Sequence, residues 1–252
     1  MPTSLRWLSA GVLVILLGGC GRGAEQGPAT PNAPPTVAAA ASMRSAMPSL
    51  IEAFGQPVTV TYGGSGTLMR QVEGGAPIDV VLFAAASPVD DLVAMGLADG
   101  ATRCKVASNE LVLIGSQDSP ALTWQTLTEL PVTERLAIGE PAAVPAGAYA
   151  KDALMQLGSW AALQDRVVYA GDVAAVLAYA RRGEVAAAAV YSTDLHGVED
   201  VRVLDRARWE GAPTPEVVGA AVTPSPSGRA FLEFVAAPAG ASILARYGFG
   251  PK

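Results

Sequence analysis

The sequence has few of the side chains that metal centres and disulfides require. Its 252 residues include one histidine, His196, and two cysteines, Cys20 and Cys104. A structural zinc site takes four Cys or His ligands, so the sequence does not support one. If Cys20 becomes the processed N-terminus, as argued below, Cys104 has no partner for a disulfide within the mature domain. A lone cysteine is more typical of packing than of chemistry.

Charged residues are also scarce. They make up 16% of the chain, against 50% hydrophobic residues, and the formal net charge is −6. Because nucleic-acid binding needs clustered lysine and arginine, we exclude nucleic acid as a partner. The length and hydrophobic content suit two modest domains or one large one. Any anionic ligand would have to be held without a basic surface.

The N-terminal segment has the pattern of a bacterial lipoprotein signal. Arg6 precedes an apolar run, 7–17, that is too short to span a bilayer and suits the core of a signal peptide. The sequence Leu17-Gly18-Gly19-Cys20 that follows resembles a lipobox, which predicts a signal peptide at 1–19 and acylation of Cys20. Residues 20–35, rich in Gly, Ala and Pro, are predicted to form a tether. The alternative is a buried N-terminal helix with a free cysteine.

From Thr36 onward, apolar strand patterns alternate with helical ones, which indicates βαβ units and a mainly parallel α/β sheet. The first helix, 43–54, contains Pro48, where we expect a kink or a restart because proline removes a helical hydrogen bond. Strands are predicted at 37–41, 58–62, 79–84, 110–114, 136–138, 167–169, 186–191, 201–204 and 217–222. Further helices are predicted at 67–73, 88–95, 126–130, from the turn at 145–147 to 157, from 173 to 183, and at 228–247 with a break at Pro238.

Four strand-to-helix turns share one character: each exposes backbone N–H groups at a helix start, where the helix dipole is positive. If the turns converge, they form a cage of neutral donors for an anion. Each also has an ordinary structural explanation: Ser42 and Asp172 as N-caps, Ser65 as a turn residue, and the turn at 145–147 as a plain loop of a βα unit. Tyr191, a further candidate at the end of a buried strand, has the alternative of a core residue with its hydroxyl at the surface. The turns contain Ser42, Ser65, Pro145-Ala146-Gly147 and Asp172-Val173.

A set of short motifs, in order from Thr36 to the C-terminus, resembles the molybdate-binding proteins of bacterial ABC importers. The joint pattern is specific, although no single motif is. The motifs are Ala39-Ala40-Ala41-Ser42, Gly64-Ser65-Gly66-Thr67-Leu68, Ala76-Pro77-Ile78-Asp79, Val144-Pro145-Ala146-Gly147 with Tyr149-Ala150-Lys151, Asp172-Val173, Val190-Tyr191 and Arg246-Tyr247-Gly248-Phe249.

The resemblance implies a type II periplasmic binding protein fold: two α/β lobes, each a mainly parallel sheet flanked by helices, joined by two crossing strands. It places one lobe at 36–112 plus 222–252 and the other at 113–221, with crossings near 111–115 and 219–223. The ligand contacts it implies are Ser42, Ser65, Ala146, Val173 and Tyr191. The chain departs from the pattern at Gly64 and Gly66, where some relatives have further serines.

The function implied is capture of molybdate or tungstate by an extracytoplasmic, lipid-anchored monomer that delivers it to an ABC permease. No cofactor, catalytic residue or direct protein ligand to molybdenum is expected. Fully ionised tetrahedral oxyanions only accept hydrogen bonds, so a site of donors suits molybdate, tungstate and sulfate, whereas the proton of hydrogen phosphate needs an acceptor. Selection among the first three depends on cavity size.

The sequence leaves three alternative functions open. The chain could bind another tetrahedral oxyanion such as sulfate, or report ligand occupancy to a sensor instead of a permease. A serine hydrolase using Ser65 is disfavoured, because Gly63-Gly64-Ser65-Gly66-Thr67 lacks the second glycine of a nucleophile elbow and His196 is the one available imidazole.

Overall fold

The computed structural model describes residues 33–252, so the predicted signal peptide 1–19, Cys20 and most of the tether lie outside the described residues. Ten strands alternate with eight α-helices through this part of the chain. The strands are β1 (Thr36–Ala40), β2 (Thr59–Gly63), β3 (Val80–Phe83), β4 (Cys104–Ser108), β5 (Leu111–Ser116), β6 (Leu136–Gly139), β7 (Val167–Ala170), β8 (Ala187–Tyr191), β9 (Val201–Arg206) and β10 (Glu216–Ala221). The helices are α1 (Met47–Phe54), α2 (Ser65–Glu73), α3 (Ser87–Ala94), α4 (Pro145–Gln156), α5 (Trp160–Leu163), α6 (Val173–Arg181), α7 (Pro226–Ala236) and α8 (Pro238–Arg246).

The strands form two five-stranded sheets of matching design. The first has the order β2-β1-β3-β10-β4 and the second the order β7-β6-β8-β5-β9. In each sheet three neighbouring strands run parallel, and the two remaining pairings are antiparallel. The parallel part agrees with the predicted βαβ units, and the antiparallel part arises because β10 and β5 run against their neighbours.

Both faces of each sheet are covered by helices. In β1, Val37 and Ala39 pack into one hydrophobic cluster, while Ala38 packs into another with Leu68 of α2 and Leu92 of α3. Strands buried on both faces have near-continuous apolar sequences without alternation. The run of small residues in β1 and β8 therefore reflects double-sided burial.

The chain passes twice between the sheets. The outward passage is short, between Ser108 at the end of β4 and Leu111 at the start of β5. The chain returns to the first sheet through residues 207–215. The crossing predicted at 219–223 is wrong, because residues 216–221 form β10, which already pairs with β3 and β4 within the first sheet. Local pattern indicates a strand at 217–222, but it does not identify the strand's non-local partners.

Two local predictions about prolines are confirmed. Met43 ends a 3-10 turn and α1 restarts at Met47, which places Pro48 in the first helical turn, where its missing N–H has no helical acceptor to lose. The C-terminal helix is split into α7 and α8 at Pro238. The helix predicted at 126–130 is wrong: this segment forms a single 3-10 turn, Leu127–Glu129.

Cys104 lies in β4, half-buried against the hydrophobic core. Burial raises the pKa of its thiol above the ordinary value, which disfavours the reactive thiolate. This environment agrees with the predicted packing role. No helix within residues 33–252 is both long and apolar enough to cross a bilayer.

Candidate ligand-binding cleft

Ser42 lies directly after β1, in the 3-10 turn Ala41–Met43. The residue at the cap position is Ala40, and no side chain caps the turn, so the interpretation of Ser42 as an ordinary N-cap is wrong. The serine is only 4% exposed, and its Oγ has no hydrogen-bond partner among residues 33–252. Because an unpaired buried hydroxyl is costly, this orphaned group is a strong indication of a ligand position.

Ser65 is the first residue of α2, after the N-cap Gly64. It is fully buried, and its Oγ accepts a 3.1 Å hydrogen bond from the backbone N–H of Ala84, just past the end of β3. The hydroxyl proton is then free to be donated elsewhere. Ser65 is therefore fixed in position by the neighbouring strand and still has a donor available.

Ala146 is the second residue of α4, after Pro145, and is fully buried. The tight turn before it depends on glycine: a Cβ on Gly147 would overlap the Gly139 backbone, and one on Gly139 would overlap the Val144 side chain. These glycines let the start of α4 pack directly on the end of β6. The Ala146 amide is thus held at a helix N-terminus, where the dipole favours an anion.

Val173 begins α6 and is 4% exposed. Asp172 is the N-cap, as predicted, and its side chain accepts a 2.9 Å hydrogen bond from the N–H of Ala175. The cap directs the Asp172 carboxylate to the inside of its own turn. The amide of Val173, two residues before the capped amide, is left available.

Tyr191 ends β8 and is 1% exposed. Its phenolic hydroxyl donates to the carbonyl oxygen of Ala84 over 3.3 Å, and its backbone N–H donates to Oδ2 of Asp194 over 2.9 Å. Burial, with smaller contributions from Tyr149 and Asp194, raises the pKa of the Tyr191 phenol well above its ordinary value. The phenol therefore remains a neutral hydrogen-bond donor across the physiological pH range.

Contacts around Gly64 bring three of the helix starts together. A Cβ on Gly64 would lie 2.8 Å from the carbonyl oxygen of Ala143, 3.0 Å from that of Gly171 and 3.1 Å from a methyl group of Val144. The N-terminus of α2 in the first lobe thus touches the segments leading into α4 and α6 in the second. Helix α6 also packs against the turn that contains Ser42.

The donors at this junction lack protein partners. Buried backbone N–H groups are almost always paired, so several orphans in one place require an explanation. The following amides, all on buried residues, have no acceptor within residues 33–252: Ser42, Ser65, Ala146 and Val173. Together with the orphaned Ser42 Oγ, they give a donor-only environment from both lobes that can accommodate a species that only accepts hydrogen bonds.

A cavity of about 380 Å³ lies between the lobes, beside this junction. It is lined from the first lobe by Gly66, Met69 and Asp91, and from the second by Tyr149 and Asp152, among others. Burial first, then the Glu216 and Asp152 carboxylates, raise the pKa of Tyr149 to about 12. The predicted contact residues do not line this cavity, because they lie in the buried contact between the lobes.

The geometry does not support the hydrolase alternative. The Ser65 hydroxyl is engaged by the Ala84 amide, whereas the imidazole of His196 packs at a tilt of 55° against the ring of Tyr247, with centroids 4.6 Å apart. A nucleophilic serine needs its base within hydrogen-bond reach. Within residues 33–252, no group of three or more His, Cys, Asp or Glu residues could hold a metal ion.

Sequence reasoning missed two features of the cleft. Gly64 and Gly66 were interpreted only as lost hydroxyls, but their lack of a Cβ is what allows the second lobe to approach. The Ala84 backbone, which bonds Ser65 through its N–H and Tyr191 through its carbonyl, has no side-chain signature. The glycine on each side of Ser65 is a sequence signal for the close approach of the second lobe. No local sequence signal indicates the hydrogen bonds of the Ala84 backbone.

Comparison with known proteins identifies the family. The family model described as bacterial extracellular solute-binding protein matches residues 35–250. The chain belongs to this family. It is 34% identical over 231 residues to the molybdate-binding protein ModA of Escherichia coli (strain K12), covering 86% of this chain and 89% of the relative. It is also 32% identical over 209 residues to YvgL of Bacillus subtilis (strain 168), named as a candidate ABC transporter substrate-binding lipoprotein, covering 80% and 79%.

A solved structure supports the architecture. The periplasmic molybdate-binding protein of Azotobacter vinelandii superposes with a TM-score of 0.76, covering 86% of this chain and 99% of that one, at 18% identity. This likeness concerns the fold. The resemblance to molybdate-binding proteins of ABC importers and the two-lobe periplasmic binding protein fold, both predicted from the motifs, are confirmed.

Proposed function

We propose that this solute-binding protein captures a tetrahedral oxyanion, molybdate or tungstate, between its lobes and delivers it to the permease of an ABC importer. The observation that carries the proposal is the set of buried, unpaired donors from both lobes: the amides of Ser42, Ser65, Ala146 and Val173, with the orphaned Ser42 hydroxyl. In support, the name of the Escherichia coli relative gives molybdate as its ligand, and the name of the Bacillus subtilis relative gives an ABC transporter as its partner.

Each proposed contact has a separate role. Ser42 and Ser65 would donate from the first lobe through hydroxyl and backbone groups, and Ala146 and Val173 from the second through backbone N–H groups. The phenol of Tyr191, whose single proton is donated to the Ala84 carbonyl in this structure, would complete the shell by turning that proton to the ligand. Oriented neutral dipoles at helix N-termini can hold a buried dianion without a counter-charge, and they leave release possible. A donor-only shell disfavours hydrogen phosphate, whose proton would have no acceptor.

The direct test is isothermal titration of the full chain with molybdate, tungstate and sulfate. We expect one oxyanion per monomer, with molybdate and tungstate bound far more tightly than sulfate. Equal affinity for sulfate would favour the alternative of a general tetrahedral-oxyanion or sulfate binder. If none of the three anions binds, the proposed site is wrong.

We further propose that the chain is exported by the signal peptide 1–19, acylated at Cys20 and held extracytoplasmically at a bacterial membrane by the tether. The support is the lipobox pattern at Leu17-Gly18-Gly19-Cys20 and the lipoprotein name of the Bacillus subtilis relative. Expressed in a bacterial host, the wild-type chain should partition into the membrane fraction and Cys20→Ser should not. A Cys20→Ser variant with unchanged membrane partitioning would rule out the anchor.

The two sheets further suggest lobe boundaries close to those predicted. We propose one lobe at 36–108 plus 216–252 and the other at 111–206, with residues 109–110 and 207–215 as the hinge. Asn109 lies at this hinge and donates through its backbone to Pro215 over 2.8 Å, which holds the two passages side by side. Closure of the lobes about this hinge would surround the ligand.

A further inference from the structure

We propose that Gly64 and Gly66 are positioning residues that set how closely the two lobes approach, and thereby the size of oxyanion that the cleft holds. They form a contact, here called the glycine latch, between Gly64–Gly66 of the first lobe and Ala142–Val144 of the second. This inference rests on the proposed function for its ligand, but its structural part does not depend on any ligand.

The first observation is a direct hydrogen bond across the cleft. The backbone N–H of Gly66 donates to the carbonyl oxygen of Ala143 over 2.9 Å. Gly66 is the second residue of α2, so its amide has no acceptor within the helix. The second lobe supplies that acceptor, which means that closing the lobes satisfies a helix N–H that opening would expose.

The second observation is the absence of space for a side chain at either glycine. A Cβ on Gly66 would lie 2.9 Å from Cα of Ala143 and 3.1 Å from the carbonyl oxygens of Ala142 and Ala143. A Cβ on Gly64 would lie 2.8 Å from the carbonyl oxygen of Ala143. These atoms are backbone, so no rotamer change relieves the overlap. The lobes would have to separate by a few tenths of an ångström.

The third observation is the position of the latch relative to the proposed donors. Ser65 lies between the two glycines, and Ala146 lies three residues beyond Ala143. A shift of the latch therefore changes the separation between a first-lobe donor and a second-lobe donor directly. Hydrogen bonds weaken steeply once donor and acceptor leave their narrow distance range, so a small shift affects every bond that spans the cleft.

The chain offers a matched control next to the latch. A Cβ on Gly63 would meet only the side chain of Leu68 in its own lobe, at 3.5 Å, which is an ordinary van der Waals contact. None of the three glycines has a positive φ, so alanine is compatible with the backbone at each. Gly66→Ala also replaces a helical glycine with a better helix former, so the variant is expected to fold.

The experiment compares wild type, Gly63→Ala, Gly64→Ala and Gly66→Ala in the full chain. With molybdate, stopped-flow exchange should show the dissociation rate constant rising about tenfold or more in the two latch variants, with little change in the association rate constant, because weakened closed-state contacts act mainly on release. Gly63→Ala should stay within about twofold of wild type. Without ligand, hydrogen exchange, corrected for the intrinsic rate of each residue type, should be faster at the amide of residue 66 in both latch variants than in Gly63→Ala, because the bond to the Ala143 carbonyl is weakened.

The measurements with and without ligand test the proposed function and the glycine latch separately. If the wild type binds no oxyanion, the proposed function is wrong, and the ligand-free exchange rate at residue 66 alone decides the latch. If both latch variants match wild type in that exchange rate and, where ligand binds, in dissociation rate, the latch is wrong even when molybdate binding is confirmed. An equal effect of Gly63→Ala would also contradict it, because the effect would then not come from the contact with the second lobe.

Discussion

The phenolic hydroxyl of Tyr191 donates to the backbone carbonyl of Ala84 over 3.3 Å, joining residues that are 107 positions apart in the chain and lie in different lobes. The backbone N–H of Ala84 also donates to the Ser65 hydroxyl over 3.1 Å. The backbone of one residue therefore fixes a proposed ligand contact from each lobe. It makes the position of Tyr191 depend on closure of the cleft.

Tyr191→Phe should weaken molybdate binding by about 1–3 kcal/mol, because it removes the one phenolic proton that the proposed shell would take over from the Ala84 carbonyl. Titration calorimetry measures the change. Tyr169→Phe is the control, since Tyr169 lies on β7 and is 43% exposed. Unchanged affinity in Tyr191→Phe would show that the phenol serves packing alone.

Ser42→Ala should separate affinity from stability. The Ser42 Oγ has no partner within residues 33–252, so its removal takes away an unpaired buried group and should leave the ligand-free melting temperature unchanged or slightly higher. Molybdate affinity should fall by about 1–3 kcal/mol. Thermal denaturation with and without ligand measures both. A loss of ligand-free stability would mean that the hydroxyl has a structural partner.

Ser65→Ala should behave differently, because its Oγ accepts the Ala84 amide. Removing it leaves a buried N–H unpaired, so we expect a loss of about 1–3 kcal/mol in the free energy of unfolding, in addition to weaker binding. Chemical denaturation of the ligand-free protein measures the first effect. Ser242→Ala, at an exposed position where the hydroxyl donates to Pro238, is the control. Equal stability for Ser42→Ala and Ser65→Ala would contradict the assigned partners.

The Asp194 carboxyl should make stability depend on pH. Burial raises its pKa to about 7, and Asp172 adds to the rise, while the hydrogen bond from the Tyr191 amide opposes it. A carboxyl with a raised folded-state pKa binds its proton more tightly when folded, so its contribution is most favourable at low pH. Stability is then lost as the pH rises from about 4 to about 7.

Asp194→Asn should remove this part of the pH dependence while its side-chain oxygen still accepts the Tyr191 amide. Denaturation midpoints between about pH 4 and pH 8 provide the measurement, and exposed Asp118→Asn provides the control. The expected result is a smaller loss of stability with rising pH in Asp194→Asn than in Asp118→Asn. Parallel profiles for the two variants would show that Asp194 titrates as an ordinary carboxyl.

Much of the fold was predictable because its signals are local. Apolar runs mark the buried strands, Pro48 and Pro238 mark a helix start and a helix break, and Asp172 marks an N-cap. The 3-10 turn at Leu127–Glu129 was mistaken for a helix, since five residues contain too little periodicity to separate the two. The partner of β10 was also not predictable, because strand pairing depends on residues far apart in sequence.

The sequence by itself determined the class of site: serines and small residues at strand-to-helix turns, few charges and one histidine favour neutral donors over a metal or a catalytic base. Only the tertiary structure decided how these turns meet. It placed Ala143 against Gly66 and Ala84 between Ser65 and Tyr191, contacts made by backbone atoms that carry no sequence signature. Backbone amides look the same at every position, so their convergence depends on the packing of the two lobes.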